Sequence, residues 1–529
     1  MSDNLLYLRP DVQVEPLWDC WYAWSHLISP ATAARQLTHR HLKIMDSYIA
    51  GPQFHAAAMK DPKMIGGPFI DLNGQRVDEI KALRDATKRD RAPLIKLSAA
   101  LAELDTMLQQ QAKGGSLLPL YAAVPDMLKG KVELTYDLNH HPSFRPIEPI
   151  FYQSELYDRS AQSLMLSVTA RDSRPFVTST PRLDSKESFR WKLTFDDPRV
   201  DRLFALQHQG GTWSQILELL APSNAEEETL LKTFFTAEVP KPAPVYDGDG
   251  VRWRYFGHAS MLIESGGVSV MLDPSVSYSY PTDLARYTYE DLPPAIDYVV
   301  ITHNHQDHVL LETLLRLRSR IKTILVPGSA AGLQDPSLAL QLRAIGFRNV
   351  VELREFDSVE FAGGSITGLP FFGEHGDLNI QAKMGQAIRF GNHSMLFATD
   401  SCAIEPALYR HIKQATGPVD SLFIGMECDG APMSWIYGPY MSKPIDRALD
   451  QQRRLNGSHA EQGMAIAREL GCSSLYVYAM GQEPWLGHVM GLKYTAESRP
   501  LIESDKLLAE CASIGIHAER LYGMREVVM

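Results

Sequence analysis

The chain of 529 residues contains only five cysteines, and no two of them form a Cys-x-x-Cys pair. An odd number of scattered thiols argues against a disulfide framework and favours a reducing cytoplasm. No apolar run approaches the length of a membrane span, and the first ten residues show no secretion signal. The net charge of −11 argues against broad nucleic-acid affinity. No Gly-x-Gly-x-x-Gly follows a strand pattern, so a nicotinamide or flavin dinucleotide site is not expected.

Four potential metal ligands, by contrast, stand within six residues after the apolar strand pattern at 298–301. His303 and His305 are two residues apart, so in extended backbone their imidazoles leave on the same side and can close on one ion. Asp307 and His308 lie where the chain turns into a helical pattern, and can reach a second ion. The spacing predicts a dinuclear metal site.

Further acidic residues follow later apolar strand patterns: Glu374 after 366–373, Asp400 after 394–399 and Glu427 after 421–426. Together with Asp307 they would surround two ions with four carboxylates and three imidazoles, a harder set than a histidine-rich zinc site. Four negative charges and an oxo or hydroxo bridge nearly balance two ferric ions, whereas two zinc ions would leave net negative charge in a desolvated site. The donor set therefore favours iron.

Three histidines compete for these roles. His375 competes with Glu374, while His459 and His488 compete with Glu427. His459 precedes a predicted helix that stops at Gly471, where an imidazole often serves as a cap, and His488 follows a Trp in a loop, which is more typical of a structural residue. The aromatic residues Trp435, Tyr437 and Tyr440 are candidates for lining a pocket, although they are as typical of core packing.

The motif from His303 to His308 resembles the signature of the metallo-β-lactamase fold. The segments 255–263 and 270–274 are similar to the opening strands of that superfamily, which makes His258 and Asp273 candidates for supporting the metal ligands from behind; a capping or turn role is the alternative for each. Alternating strand and helix patterns with glycine turns in the second half favour the αββα sandwich of that fold.

With Glu374 where a histidine is usual, the chain resembles a narrower group, the diiron β-hydroxylases of non-ribosomal peptide biosynthesis of the chloramphenicol-pathway type. The resemblance implies two iron ions, O2 as co-substrate, an external electron donor and hydroxylation of the β-carbon of an amino acid held as a thioester on a carrier domain. A carrier domain, a redox partner and a second copy of the chain would be its partners. Carried over residue by residue, it implies these metal ligands, with Glu374 and Asp400 also catalytic: His303, His305, Asp307, His308, Glu374, Asp400 and Glu427.

Two alternatives remain open because a fold alone does not fix chemistry. One is a di-zinc hydrolase of the same fold acting on a phosphodiester, lactone or thioester. The other is a non-catalytic carrier-binding protein with a structural metal site.

The expected fold class is α+β, with an N-terminal mixed α/β domain at 1–245 ahead of a metallo-β-lactamase-like domain at 246–529. The break is placed in 237–250, where three prolines and two Asp-Gly pairs favour an extended linker. In the first half the patterns predict a helix at 93–108, a strand at 130–136 and, from the spacing of Trp18, Trp21 and Trp24, a packed or partner-facing helix. By resemblance the first domain would serve dimerisation or carrier docking, with the basic segment 84–96 as a candidate surface.

Overall fold

The computed structural model describes residues 5–61, 64 and 66–529; Met1–Asn4, which belong to the stretch searched for a secretion signal, lie outside them. In the part of the chain that is described, no helix combines the length and apolar character needed to cross a bilayer.

The first half mixes short strands with helices, as the sequence predicts. A four-stranded antiparallel sheet has the order β3-β2-β6-β7, and two smaller pairs join β1 to β8 and β4 to β5. The strands are β1 (Tyr7–Leu8), β2 (Val12–Trp18), β3 (Trp21–Tyr22), β4 (Val132–Tyr136), β5 (Pro142–Pro146), β6 (Gln162–Val168), β7 (Ser188–Trp191) and β8 (Phe235–Thr236). The helices are α1 (Pro30–Gln36), α2 (Leu42–Ala50), α3 (Pro52–Ala58), α4 (Val77–Asp90), α5 (Ala92–Gln111), α6 (Glu148–Tyr152), α7 (Pro198–Gln209), α8 (Trp213–Leu220) and α9 (Ala225–Lys232).

The predicted tryptophan helix near the N-terminus is wrong. Trp18 ends β2 and pairs with Trp21 at the start of β3. Asp19 and Cys20 between them both have positive φ, which makes a two-residue hairpin turn whose twist suits antiparallel strands. A spacing of three residues therefore came from a hairpin with two turn residues and not from one turn of a helix.

The second half contains fourteen strands and eight helices. The strands are β9 (Arg252–Gly257), β10 (Ser260–Ser265), β11 (Val268–Leu272), β12 (Ile296–Val300), β13 (Ile321–Pro327), β14 (Val350–Leu353), β15 (Ser358–Phe361), β16 (Gly364–Leu369), β17 (Gly385–Phe390), β18 (His393–Thr399), β19 (Ser421–Gly425), β20 (Ser474–Tyr478), β21 (His517–Arg520) and β22 (Arg525–Val528). The helices are α10 (Leu311–Leu317), α11 (Leu338–Ala344), α12 (Ala407–Thr416), α13 (Ser434–Tyr437), α14 (Arg447–Gln452), α15 (Ala460–Leu470), α16 (Gly487–Met490) and α17 (Arg499–Ser513).

These strands form two seven-stranded sheets, ordered β14-β13-β12-β11-β10-β9-β22 and β15-β16-β17-β18-β19-β20-β21. Their inner faces share one apolar core, in which Trp253 and Ile263 of the first sheet meet Phe397, Phe423 and Tyr476 of the second. The outer face of the second sheet packs under α12, α15 and α17 through a separate apolar cluster. Helices α10 and α11 cover the outer face of the first sheet, which confirms the predicted αββα sandwich.

The first half of the chain packs on the same outer helix layer, because one apolar cluster runs from β2 and α5 through α10 to the first sheet. A buried ionic group spans this junction. The Arg174 guanidinium lies 2.6 Å from Glu15 on β2 and 2.8 Å from Glu312 on α10. Three charges that are desolvated together require close pairing of this kind, so the contact fixes how the two halves meet at this point.

Candidate metal centre

The predicted metal ligands follow strands that point toward the same end of the sandwich. In the first sheet β11, β12 and β13 are parallel. In the second sheet β18 is parallel to β19, and β16 runs in the same direction as β18 because both are antiparallel to β17. Residues that follow these strands therefore meet at one end. The segment His303–His308 follows β12, Glu374 follows β16, Asp400 follows β18 and Glu427 follows β19.

Six of the seven predicted ligands converge there in overlapping groups, each with its ligand atoms within 4.8 Å of one another. In the first, Glu374 Oε1 lies 2.5 Å from His305 Nδ1, and Glu374 Oε2 lies 3.4 Å from His303 Nε2. In the second, Asp400 Oδ2 lies 3.1 Å from His308 Nε2 and 3.8 Å from His303 Nε2.

A third group completes the cluster beyond His308. It places Asp307 Oδ2 at 3.6 Å from His308 Nε2, with His258 beside them. Asp400 thus stands between a set built on His303, His305 and Glu374 and a set built on Asp307 and His308, which is the place of a carboxylate that bridges two ions.

Three buried atoms in this cluster lack a hydrogen-bond partner within the described residues: His303 Nε2, Glu374 Oε2 and Asp400 Oδ1. Buried polar atoms are nearly always satisfied, because an unmet one carries its full desolvation penalty. All three atoms carry a lone pair and belong to residues of the close groups, and metal ions bound there would satisfy them. The residues present therefore fit a pair of cations.

The imidazoles differ in charge preference although all are buried. Burial is the largest influence on the pKa of His303 and lowers it, with His308 and His305 acting in the same direction. Burial also opposes the charge on His308, but the carboxylates of Asp307 and Asp273 outweigh it and raise the pKa. His303 is therefore held neutral, the form in which imidazole offers a lone pair.

Asp273 supports the cluster from behind. Its carboxylate accepts the Thr302 N–H at 2.8 Å, the Thr302 hydroxyl at 2.6 Å and His308 Nδ1 at 2.8 Å. Because Nδ1 of His308 donates to this carboxylate, Nε2 is left to face Asp400 and the metal space. This is the placement that the sequence suggests for Asp273.

His258 takes a similar place behind Asp307. The Gly481 N–H donates to His258 Nδ1 at 3.1 Å, so the neutral ring carries its hydrogen on Nε2, which lies 3.1 Å from Asp307 Oδ2. A protonated Nε2 cannot bind a metal, and His258 instead orients Asp307 as a hydrogen-bond donor.

Tyr437 contacts the predicted ligand His305, which the sequence could not reveal. Its hydroxyl lies 3.1 Å from His305 Nε2, while Nδ1 of the same ring faces Glu374. A hydrogen on Nε2 that is held by the Tyr437 hydroxyl leaves the Nδ1 lone pair for a metal. The aromatic run after Glu427 was a signal for a pocket residue, but not for this partner.

Glu427 lies near the close groups but is not a member of them. Glu427 is absent from the three close groups but lines the same cavity of about 490 Å³ as His305, Asp307 and Glu374. Burial, and then the charges of Asp307, Asp400 and Glu374, raise the pKa of Glu427 well above its usual range. Its carboxylate therefore lies within electrostatic reach of the cluster.

The three histidine competitors lie outside the groups. His375 Nδ1 faces Glu374 Oε2 at 3.2 Å, and its ring stacks on His305. His459 stands at the N-terminal cap of α15, and the buried His488 packs edge-on against Tyr22.

Backbone strain concentrates at this end of the sandwich. His258, Asp273, Glu374, Thr399 and Ala479 all have φ between 36° and 66°, a region that side chains with Cβ rarely adopt. His258, Asp273 and Ala479 directly follow strands, Thr399 ends β18, and Glu374 lies in the turn after β16. Such strain persists where surrounding contacts over-determine the backbone, as at functional sites.

Fold and site define the class of protein: a dinuclear metal protein of the metallo-β-lactamase fold with a carboxylate-rich centre. A model described as "Diiron non-heme beta-hydroxylase N-terminal domain" matches residues 7–239, and one described as "Beta-lactamase superfamily domain" matches residues 269–476.

Full-length relatives narrow the class. The chain is 40% identical over 528 residues to the 4-amino-L-phenylalanyl-[CmlP-peptidyl-carrier-protein] 3-hydroxylase of Streptomyces venezuelae, covering 97% of this chain and 98% of the relative. The crystal structure of CmlA, a diiron β-hydroxylase from Streptomyces venezuelae, is similar with a TM-score of 0.93 and 38% identity over all of both chains. A mutant of CmlA matches with a TM-score of 0.91 and 38% identity, over 99% of this chain and 100% of the other. The chain belongs to the family of diiron non-haem β-hydroxylases, as its sequence predicts.

Proposed function

We propose that the protein hydroxylates the β-carbon of an amino acid that is held as a thioester on the carrier domain of a non-ribosomal peptide synthetase. The observation that carries this proposal is similarity along the whole chain, including the first half, to a carrier-protein 3-hydroxylase. The carboxylate-rich cluster supports it independently, because hydrolases of this fold use a more histidine-rich zinc site. Family and site favour this function over a di-zinc hydrolase.

We assign the metal pair to the six predicted ligands that form the close groups, with Glu427 beside them in the same cavity. His303, His305 and Glu374 would hold one iron, Asp307 and His308 the other, and Asp400 would bridge them. When bound, the iron pair activates O2 and delivers one oxygen atom to the C–H bond. Glu374 and Asp400 are the catalytic residues of this proposal because each would hold an ion at the reacting centre.

The protein's own residues prepare the place of reaction. The wall of the metal cavity also contains the apolar side chains of Ile436, Leu455 and Val489. Such a wall can hold an aminoacyl side chain and exclude water from the reacting carbon. Asp273, His258 and Tyr437 fix the orientation of His308, Asp307 and His305 before the substrate arrives.

The reaction requires a reductant, because one atom of O2 enters the C–H bond and the other leaves as water with two electrons and two protons from outside. We propose an external redox partner, a homodimer and a cytoplasmic location; the five free thiols support the last. We also propose domains at 1–245 and 246–529, supported by the absence of helix and strand between Thr236 and Arg252.

The test combines metal analysis with turnover. Protein purified from iron-supplemented cells should contain about two iron ions per chain and show the optical absorption of a bridged diferric centre. After reduction and exposure to O2, an aminoacyl-loaded carrier should gain the mass of one oxygen atom. Zinc in both places, with thioester hydrolysis and no mass gain, would contradict the proposal.

A further inference from the structure

A second cavity adjoins the metal cavity. It has a volume of about 960 Å³ and lies where α1, α2 and the segment between them face residues 434–450 of the second half. We call it the outer cavity. Residues 66–69 and Trp435 line both cavities, and the Trp435 indole N–H donates to the Gly66 carbonyl at 2.8 Å. A ligand that passes this shared wall would reach from one cavity into the other.

The two cavities have opposite charge. The metal cavity is lined by four acidic residues and one arginine, whereas the outer cavity is lined by four basic and two acidic residues, in a chain whose net charge is −11. The acidic residues of the metal cavity are Asp307, Glu374, Glu427 and Asp429. The basic residues of the outer cavity are Arg35, Arg40, Lys43 and Arg447.

These four cations lack an anionic partner among the described residues. Arg35 is only 5% exposed and donates to the carbonyls of Pro439 at 2.9 Å and Met441 at 3.3 Å. Arg40 donates to the carbonyl of Trp435, and burial lowers its pKa to about 10. Among the described residues, none of the four basic side chains has a carboxylate within 4.0 Å.

The two acidic residues of the outer cavity do not neutralise its basic side chains. Asp450 accepts from the backbone and the hydroxyl of Ser434, and Asp105 acts on Arg35 only from beyond ion-pair distance. Partly desolvated cations that are held by neutral carbonyls form a site prepared for an anion, because an anion would supply the charge-assisted hydrogen bonds that the protein does not.

The basic segment 84–96, suggested by the sequence as a carrier surface, is different. Arg84 pairs with Asp46 and Asp85. Arg91 pairs with Asp19 and Asp158. These cations are neutralised within the protein, so this segment is a weaker candidate for binding an acidic partner.

We infer that the outer cavity binds the phosphate of a phosphopantetheine arm, whose opposite end carries the aminoacyl thioester past Trp435 to the metal cavity. The inference rests on the proposed function. A phosphate at one end and an amine-bearing aminoacyl group at the other match a basic cavity that opens beside an acidic one. Arg35 and Arg40 would bind the phosphate from the floor, with Lys43 and Arg447 at the exposed rim.

The rim residues allow a test that spares the fold, because Lys43 and Arg447 are exposed and make no side-chain hydrogen bond or ion pair in the described structure. The variant is Lys43→Glu/Arg447→Glu. Its matched control is Lys186→Glu/Arg348→Glu, which changes the net charge equally at exposed positions outside both cavities. Calorimetry measures the binding of phosphopantetheine, pantetheine and inorganic phosphate, and hydroxylation is measured with aminoacyl-phosphopantetheine and aminoacyl-pantetheine.

Wild type and control should bind phosphopantetheine about tenfold or more tightly than pantetheine, and kcat/KM should show the same preference for the phosphorylated substrate. The rim variant should lose this preference, while its turnover of aminoacyl-pantetheine is unchanged. Equal affinities in wild type, or a preference that survives in the rim variant, would overturn the inference. Inorganic phosphate that binds as tightly as phosphopantetheine would reduce the cavity to a general anion site and overturn it as well. If no thioester is hydroxylated but phosphopantetheine still binds preferentially, the proposed function fails while the phosphate site stands.

Discussion

Replacing Tyr437 by phenylalanine tests how the structure prepares the metal centre. The change removes one hydroxyl and keeps the buried ring. His305 Nε2, which the hydroxyl contacts at 3.1 Å, then loses this partner at a buried position. The ring of His305 loses the contact that would hold a hydrogen on Nε2 when Nδ1 binds a metal.

The size of the effect follows from that single contact. An unsatisfied buried donor costs about 1 to 3 kcal/mol, or roughly five- to 150-fold in an equilibrium constant. The loss should fall on the ion that we assign to His303, His305 and Glu374. The ion that we assign to Asp307 and His308 should be affected less, because Asp273 and His258 orient those ligands. Titration of metal-free protein with Fe(II) against a chelator should therefore show one weakened equivalent.

Tyr440→Phe is the matched control. Tyr440 is also buried, and its hydroxyl contacts His26 at 2.6 Å and Gln36 at 2.5 Å, not a predicted ligand. This variant should lose comparable stability and bind both irons as the wild type does. If Tyr437→Phe binds both irons with wild-type affinity, or if the two variants lose iron equally, the argument from His305 is refuted.

Four further changes test other residues. Asp400→Ala should lose both metals because a bridging carboxylate serves each ion; metal analysis that finds one full equivalent would contradict this. Glu374→His should still bind metal but shift it toward zinc and abolish hydroxylation, and full hydroxylation in this variant would disprove the carboxylate argument. Glu427→Ala should lower iron content or turnover about tenfold, and a variant unchanged in both would remove Glu427 from the centre. Burial raises the pKa of Glu148 to about 7. Between about pH 5 and pH 7 the folded protein therefore keeps a proton on Glu148 that the unfolded chain releases. The free energy of unfolding falls by about 3 kcal/mol as the pH rises through this window. Glu148→Gln should flatten that fall in the thermal midpoint while Glu155→Gln, at an exposed position, should not; equal slopes in both would contradict the assignment.

Local pattern and chemistry were sufficient for much of this protein. The apolar run before His303 and the two-residue spacing to His305 describe a strand end and its ligands, because side-chain direction in extended backbone is set locally. The helix expected at 93–108 lies within α5, and the strand expected at 130–136 contains β4. Gly471 ends α15 with positive φ, as its position predicts.

The same local reasoning failed where a helix and a β-hairpin can both produce a spacing of three residues. Trp18, Trp21 and Trp24 fit a helix by period, but the conformation of Asp19 and Cys20 makes a hairpin. Period alone does not separate these cases, because pairing with β6 decides the outcome and that partner is more than 140 residues away.

The sequence thus determined which residues have side chains that can bind a metal, whereas the fold determined which residues those side chains contact. Glu374 and His375 are adjacent and chemically competent, and only the strained turn after β16 decides which one faces His303. The tautomer of His258 depends on the Gly481 N–H, and the partner of His305 Nε2 is the Tyr437 hydroxyl. These contacts join residues more than 100 positions apart, and long-range hydrogen bonds of this kind leave no periodic trace in the sequence.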